Sequence, residues 1–506
     1  MNALLVHPPI ADSFLGHQHA LTFINKRAVS PPLGLLTVAA LLPPEWNARL
    51  VDMNVQPLTD ADLAWADCAC ISAACTQRDV ARTLIARCRH AGLVIIAGGP
   101  LFTMEPEDFP EVDHLLLHEA ETTVPLLLSD LARGTPRRMY RPEGFADMTR
   151  SPAPAWRLAR LSSYALAAIQ FSRGCPYGCE FCNMPFLLGR TLRRKTVPQI
   201  IAELDALWAA GWREQIFVVD DNLNLDARFL KQELLPALIR WQRHPARAWC
   251  NVPFYAQACI TLADDDELMG MMVRAGFTQL FIGIETTDEA ALAAAGKTPN
   301  RGRDLAGDVR RIQRAGMIVH AGMIVGFDTD TPAVFERHAS FIRDTNTVLA
   351  KVSILQAPRH TPLYGRLERE GRIASPHPRD NTYGDTNIMP RMGLRALQSH
   401  YRDFQETLFS PGEYYGRLRS FVRASGVPRA GMRPSMSRLR GLCMVVWRLG
   451  IRAPSRGLFW RMVAAAARKP RLLPWALMLA AQCHHHHLFW AGLRRTTSQR
   501  AEGAAA

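Results

Sequence analysis

Short apolar runs alternate with helix-period stretches through the first part of the chain, the pattern of a parallel α/β unit. Residues 3–6, 48–51, 69–72, 93–97 and 114–117 read as five strands, and 34–42 and 78–91 carry the helical period. Ligands of such sheets sit beyond the carboxyl ends of the strands. The first strand is followed by His7-Pro8-Pro9 and not by G-x-G-x-x-G, which argues against a dinucleotide site. A polar, proline-bearing connection covers about 134–154. Six further strand–helix repeats follow, with strands at 169–173, 215–219, 249–258, 279–284, 318–325 and 351–356. Six βα units with right-handed crossovers fit an open barrel better than a flat sheet. Asp220-Asp221-Asn222, Gln257, Glu285, Gly326-Phe327-Asp328 and Gln356 punctuate the carboxyl ends of these strands, the rim where a barrel builds its active site. The repeats stop near 371, and the rest reads as helices. The expected architecture is an α/β unit over 1–145, a partial (β/α)6 barrel over 155–370 and a mainly helical domain over 371–506.

Composition adds two constraints. The chain has 506 residues, 48% of them hydrophobic and 21% charged, the profile of a folded multidomain protein. Its +14 formal charge is unevenly placed. The segment 414–501 holds 17 Lys and Arg and no Asp or Glu, so the body without it is slightly acidic. Arg alternates there with Trp, Leu, Phe and Met, as in Gly457-Leu458-Phe459-Trp460-Arg461-Met462-Val463. Such a region fits either a helical cap with a solvated basic face or peripheral contact with anionic lipid. No nucleic-acid-binding fold accompanies the charge, and no nucleic acid is expected. The N-terminus lacks a basic n-region and an apolar h-region, and the longest apolar run, 472–481, is about half a membrane span. A cytoplasmic location is expected, with at most peripheral contact at the inner face of the membrane.

The chemistry is concentrated in one loop. Phe171-Ser172-Arg173-Gly174-Cys175-Pro176-Tyr177-Gly178-Cys179-Glu180-Phe181-Cys182 sets three thiolates in C-x3-C-x2-C directly after a predicted strand. Soft thiolates select iron–sulfur clusters or zinc. A closed zinc or ferredoxin-type site needs a fourth ligand, and the next cysteine is as far away as Cys250. A four-iron cube on three cysteines keeps one iron open. Gly174 and Gly178 permit the tight backbone of a cluster loop. Cys68, Cys70, Cys75, Cys88, Cys443 and Cys483 show no ligand spacing and read as packing residues; His484–His487 receives no function.

The C-x3-C-x2-C loop after the first barrel strand resembles the hallmark of the radical S-adenosylmethionine (SAM) superfamily. The resemblance implies a 4Fe–4S cluster on Cys175, Cys179 and Cys182, and SAM bound at the open iron. It implies SAM contacts from Phe181 at the adenine, Asp221 near the amino group, and Gly283 and Glu285 at the end of the fourth barrel strand. The order of domains further resembles the cobalamin-binding subclass, in the branch with an extra C-terminal helical domain that includes hopanoid C-2 methylase. Shared phrases are Pro31-Pro32-Leu33-Gly34-Leu35-Leu36, Val51-Asp52-Met53-Asn54, Ala97-Gly98-Gly99-Pro100, Phe217-Val218-Val219-Asp220-Asp221-Asn222 and Gln356-Ala357-Pro358-Arg359-His360-Thr361-Pro362-Leu363-Tyr364. That likeness covers nearly the whole chain and implies a Rossmann-like cobalamin-binding-type domain with contacts from Gly34, Ser72, Gly98, Gly99 and Glu119. Two departures stand out. No D-x-H-x-x-G offers a histidine to cobalt, and Gln257 stands where relatives carry a glutamate.

The expected function is cobalamin-dependent radical methylation of an unactivated carbon in a lipid or secondary metabolite, with electrons from an external donor such as flavodoxin or ferredoxin. Cyclisation, rearrangement or anaerobic oxidation would use the same parts. An iron–sulfur redox or sensing protein without turnover would use only the cluster. A methylthiotransferase is not expected, since the N-terminal unit shows no second evident cluster triad.

Overall fold

The computed structural model describes residues 1–10, 16–245, 247, 251–378, 384–426, 428 and 436–505. The first sheet is all parallel, in the order β2 (Asn47–Asp52), β1 (Asn2–His7), β3 (Cys68–Ser72), β4 (Val94–Gly98), β5 (His114–Leu116), β6 (Met139–Tyr140). Chain order reverses between β1 and β3, the switch point where α/β sheets open a crevice. The β3 and β4 segments are near-continuous apolar runs because helices cover both faces, as parallel sheets require. The two-residue strand β6 lies inside the stretch expected as a connection; it is held by Leu115 N donating to Arg138 O at 2.7 Å and Leu117 N to Tyr140 O at 3.0 Å.

The second sheet runs β7 (Ala167–Ile169), β10 (Ile216–Val218), β11 (Phe254–Ala258), β12 (Phe277–Glu285), β13 (Ile318–Val325), β14 (Ala350–Ile354), each parallel to the next. Sequential order without closure is the expected partial (β/α)6 barrel. The first expected strand is divided. After β7 the chain leaves the sheet, because buried Asp220 accepts from Phe171 N at 2.7 Å and from Ser172 Oγ at 2.6 Å. Ser172–Arg173 then forms β8, antiparallel to β9 (Arg193–Arg194). Trp249 and Cys250, expected in the third barrel strand, lie outside the described residues.

Past residue 390, helices Leu394–Leu408, Pro411–Ala424, Met436–Val445, Arg456–Ala467 and Leu473–Ala505 form the C-terminal region. Tyr414, Tyr415, Phe459, Met462 and Trp475 are buried in the same apolar core as the barrel and one face of the first sheet. Among the described residues no helix is long and apolar enough to cross a membrane. Cys68, Cys70, Cys88 and Cys483 are buried as packing residues should be and Cys75 partly so, whereas Cys443 is exposed and corrects that expectation.

The connection between the sheets is pinned by Tyr164, whose buried hydroxyl donates to Asp52 Oδ2 at 2.9 Å. Replacing Tyr164 by Phe leaves that buried carboxylate oxygen without its donor and should lower stability by ~1–3 kcal/mol. A thermal melt checks this; an unchanged transition would contradict the bridging role.

Candidate active site

The cysteine loop follows β8 and is gripped from several sides. Gly174 has φ 98°, and a Cβ there would collide with Thr191 O, so only glycine fits. Cys175 N donates to Gly189 O at 3.2 Å, and Cys182 N to Cys179 O at 3.1 Å. Glu180 N reaches Ala295 O at 2.9 Å, and a Cβ on Gly296 would lie 2.9 Å from Gly178 O. Helix Pro362–Arg369 abuts the same loop: Leu363 N donates to Glu180 O at 2.9 Å and Arg366 pairs with the Glu180 carboxylate at 2.9 Å. Cys175, Cys179 and Cys182 are all half-buried and free of disulfides.

Their spacing fits a cluster better than a single ion. Sulfurs on tetrahedral zinc sit about 3.8 Å apart, given a Zn–S bond of about 2.3 Å. Among the described residues only Glu105, Asp108 and His377 bring three candidate ligand atoms within 4.8 Å of one another, so the three thiols are spread more widely than that. A four-iron cube carries its cysteines on separate corners. Burial pushes all three thiols up, Cys182 to about 12, with the Asp221 carboxylate adding to the effect at Cys175 and Cys182. Bare, they would stay protonated at neutral pH; bound cationic iron would make them thiolates.

Beside the loop a cavity of about 240 Å³ opens onto β12, β13 and β14, lined by Phe181, Phe281, Glu285, Gly322, Lys351 and Ser353 among others. Phe181 and Glu285, both expected to contact SAM, share its wall. Gly283 lies beneath: a Cβ there would collide with Glu285 Oε1 and meet Lys297 Nζ at 3.0 Å. Glu285 is held in left-handed backbone, φ 62°, and pairs with Lys297 Nζ at 2.7 Å. Burial disfavours the Lys297 charge, but Glu285 and Cys179 hold its ammonium above the ordinary lysine range. Asp221 lies at the end of β10, across the loop. Its Oδ2 is buried with no hydrogen-bond partner among the described residues, and burial pushes the carboxyl up to about 6. A buried oxygen without a donor, next to the cysteines, fits a ligand that brings its own cationic donor. Gln257 lies on β11; Cys259, just beyond it, interacts with Tyr177 and Lys297.

The first sheet meets this loop at its strand ends. Ser72 ends β3, Gly98 ends β4, and Gly99 opens helix Pro100–Met104 with its Cα against Ser72 Oγ. Gly34 is exposed at the start of helix Leu33–Leu41 with open space around it. Glu119 is different. Its carboxylate is 2% exposed and already engaged, with Arg173 at 2.9 Å, Arg193 at 2.9 Å and Ala146 N at 2.6 Å. Arg173 also pairs with Glu121 at 2.8 Å. Although burial opposes it, Arg173 holds the Glu121 carboxyl below its ordinary range. Above this knot, the Phe186 ring stacks on His360 at 4.2 Å, and His118, at φ 63°, packs against both Phe145 and Phe186. Sequence reasoning missed Arg173, Arg193, Lys297, Cys259 and this aromatic seam. Only Arg173 carried a signal, as the residue two before the first cysteine.

Arg173→Met removes the ion-pair partner of nearly buried Glu121 and one of the two at Glu119, and should cost about 3–5 kcal/mol. The loss should appear as a lower melting temperature together with less iron retained on reconstitution. Arg173→Lys keeps the charge without the two-pronged geometry and should fall between. Wild-type iron retention in both variants would contradict the positioning role.

Comparison with known proteins places these features in one lineage. Residues 169–342 match the family described as Radical SAM superfamily, and residues 361–499 match Domain of unknown function (DUF4070). The chain is 35% identical to the uncharacterized methyltransferase sll1242 of Synechocystis sp., over 96% of this chain and 91% of the relative. It is 33% identical to hopanoid C-2 methylase of Rhodopseudomonas palustris, over 96% of this chain and 93% of that one. Among solved structures it shares its fold with the radical SAM methyltransferase TsrM from Kitasatospora setae, with cobalamin and a 4Fe–4S cluster bound (TM-score 0.63, 13% identity, 93% of this chain and 99% of that one). It shares it also with the cobalamin-dependent SAM radical enzyme OxsB with aqua-cobalamin bound (TM-score 0.62, 16% identity, 98% and 80%). With one residue in three identical over 96% of the chain, the chain belongs to the radical SAM superfamily, in the branch that contains hopanoid C-2 methylase.

Proposed function

We propose that the chain is a cobalamin-dependent radical SAM methyltransferase acting on an unactivated carbon of a lipid, in the chemical class of the polycyclic hydrocarbons methylated by its hopanoid-methylating relative. The observation that carries this reading is the convergence of the three-thiol loop, the cavity walled by Phe181 and Glu285 and the strand ends of the first sheet on one seam. When bound, the cluster and SAM supply a 5′-deoxyadenosyl radical that removes a substrate hydrogen, and cobalamin supplies the methyl group.

The protein's own part is to bind, orient and exclude water. Cys175, Cys179 and Cys182 hold the cluster. Asp221 receives the SAM amino group on its buried, undonated oxygen. Glu285 and Lys297, locked together at 2.7 Å, give the cavity one fixed acceptor and one fixed donor, so polar groups of SAM are oriented without reorganisation at the moment of reaction. Phe181 and Phe281 supply apolar wall on either side. Gly34 has open space around it, while the close packing of Gly99 on Ser72 and of Gly98 on Leu116 shapes the strand ends at the sheet's switch point, where a bulky planar cofactor would lie. No D-x-H-x-x-G is present, so no histidine of that motif would ligate a bound cobalamin. Electrons come from an external one-electron donor such as flavodoxin or ferredoxin. A lipid substrate also implies peripheral contact of the basic C-terminal region with a membrane.

The test is anaerobic turnover with SAM carrying a deuterated methyl group and a polycyclic hydrocarbon lipid of the hopanoid class. One labelled methyl in the product, with 5′-deoxyadenosine formed alongside, is the expected result. A product lacking the label but altered in hydrogen count would instead favour cyclisation or oxidation. Asp221→Asn should weaken SAM binding by roughly tenfold, the scale of one charge-assisted hydrogen bond. Equilibrium binding to the reconstituted protein reads this directly, and wild-type affinity would remove Asp221 from the site.

A further inference from the structure

The helical region carries one surface that the chemistry above does not use. Helix Met436–Val445 continues as Val446–Arg452, and its inner side packs on the protein: Gly441 sits against Ile24, and Val445 and Leu449 are buried. Its outer side is equally apolar. Met436, Leu439, Leu442, Trp447 and Ile451 recur at helical spacing and are exposed, Trp447 at 49% and Ile451 at 51%. The neighbouring helix extends the face through Trp460, 46% exposed, whose indole donates to Gly450 O at 2.8 Å. Exposed Arg440, Arg452, Arg456 and Arg461 border it, and Arg452 lies 5.5 Å over the Trp447 ring.

A helix apolar on both sides is stable in water only if both are covered. We propose that the outer face docks on an anionic lipid bilayer. The surface rests on the membrane contact proposed above and gives it a location; it is independent of methyl transfer. Three features select lipid as the occupant. The segment 414–501 holds 17 basic and no acidic residues, which complements anionic headgroups. Tryptophans beside arginines at the edge of an apolar stripe suit the interface, where rings and guanidinium stems lie between tails and headgroups. A second copy of the chain is disfavoured, because a two-fold contact through this face would set arginine against arginine with no carboxylate between. Arg438 pairs with Glu214, which shortly precedes β10, so the face sits where the barrel strands begin.

The experiment is flotation of the full-length protein with vesicles of equal phosphatidylglycerol and phosphatidylcholine, against vesicles of phosphatidylcholine alone, without SAM or substrate. The wild type should float with the anionic vesicles and be released by high salt. Leu439→Ser with Trp447→Ser should reduce partitioning at least about tenfold. Arg440→Gln and Arg452→Gln should each reduce it about fivefold. Unchanged circular dichroism and cluster content establish that the variants are folded. The proposal is overturned if the wild type stays with neither vesicle, if these variants float like wild type, or if light scattering shows a dimer that Trp447→Ser dissolves. Failure of methyl transfer with intact flotation would sink the catalytic reading and leave the docking surface standing.

Discussion

Three thiols in eight residues cannot hold a metal cluster in place by themselves; the loop has to be anchored, and Arg173 is the anchor. It leaves the backbone two residues before Cys175 and is clasped by Glu119 and Glu121 from the first sheet, while Arg193 closes the knot from the paired strand. These four side chains are nearly buried, where Coulomb attraction is little screened and where removing one partner strands the others. The contact joins the two sheets beside the cysteine loop, in addition to their shared apolar core and the Tyr164–Asp52 hydrogen bond. The distance from the first sheet's strand ends to the cluster corner therefore depends on it, and a radical reaction passing between two cofactors is sensitive to that distance.

Around this anchor the site alternates fixed polar pairs with apolar wall. Glu285 and Lys297 neutralise each other, while Asp221 Oδ2 is buried with no hydrogen-bond partner among the described residues. Glu285 adopts backbone that a non-glycine residue rarely takes, and such strain persists only where its surroundings over-determine it. The rings of Phe181 and Phe281 give the cavity apolar wall. The protein thus confines reactive species and orients them, while the chemistry resides in what it binds.

Much of this was legible in the amino-acid order. Apolar runs four to six residues long, separated by helical periods, mark parallel strands because such strands are covered on both faces. The cysteine spacing is local, so no tertiary knowledge was needed to find it. What stayed hidden depends on long-range contact. Glu119 read as a cofactor residue at a strand end, and nothing local showed that Arg173, 54 residues away, holds it. Lys297 gains its meaning from Glu285 and the cysteine loop, and nothing in Ala295-Gly296-Lys297 announces that. The strand expected at 169–173 breaks because the Asp220 side chain takes the Phe171 amide, a competition that periodicity does not register. Cys443 read as packing because it shows no ligand spacing, and only the structure separates the inner side of its helix from the outer.

The central claim is that one chain holds a cluster on Cys175, Cys179 and Cys182 and a cobalamin at the adjoining sheet. Anaerobic reconstitution with iron, sulfide and cobalamin, followed by desalting, spectroscopy and cofactor counting, tests it most directly. The account predicts cluster and cobalamin each in equal amount with the chain, and loss of the cluster in a variant with all three cysteines changed to alanine. A cluster retained without cobalamin would contradict it, leaving a radical SAM protein whose first sheet serves another purpose.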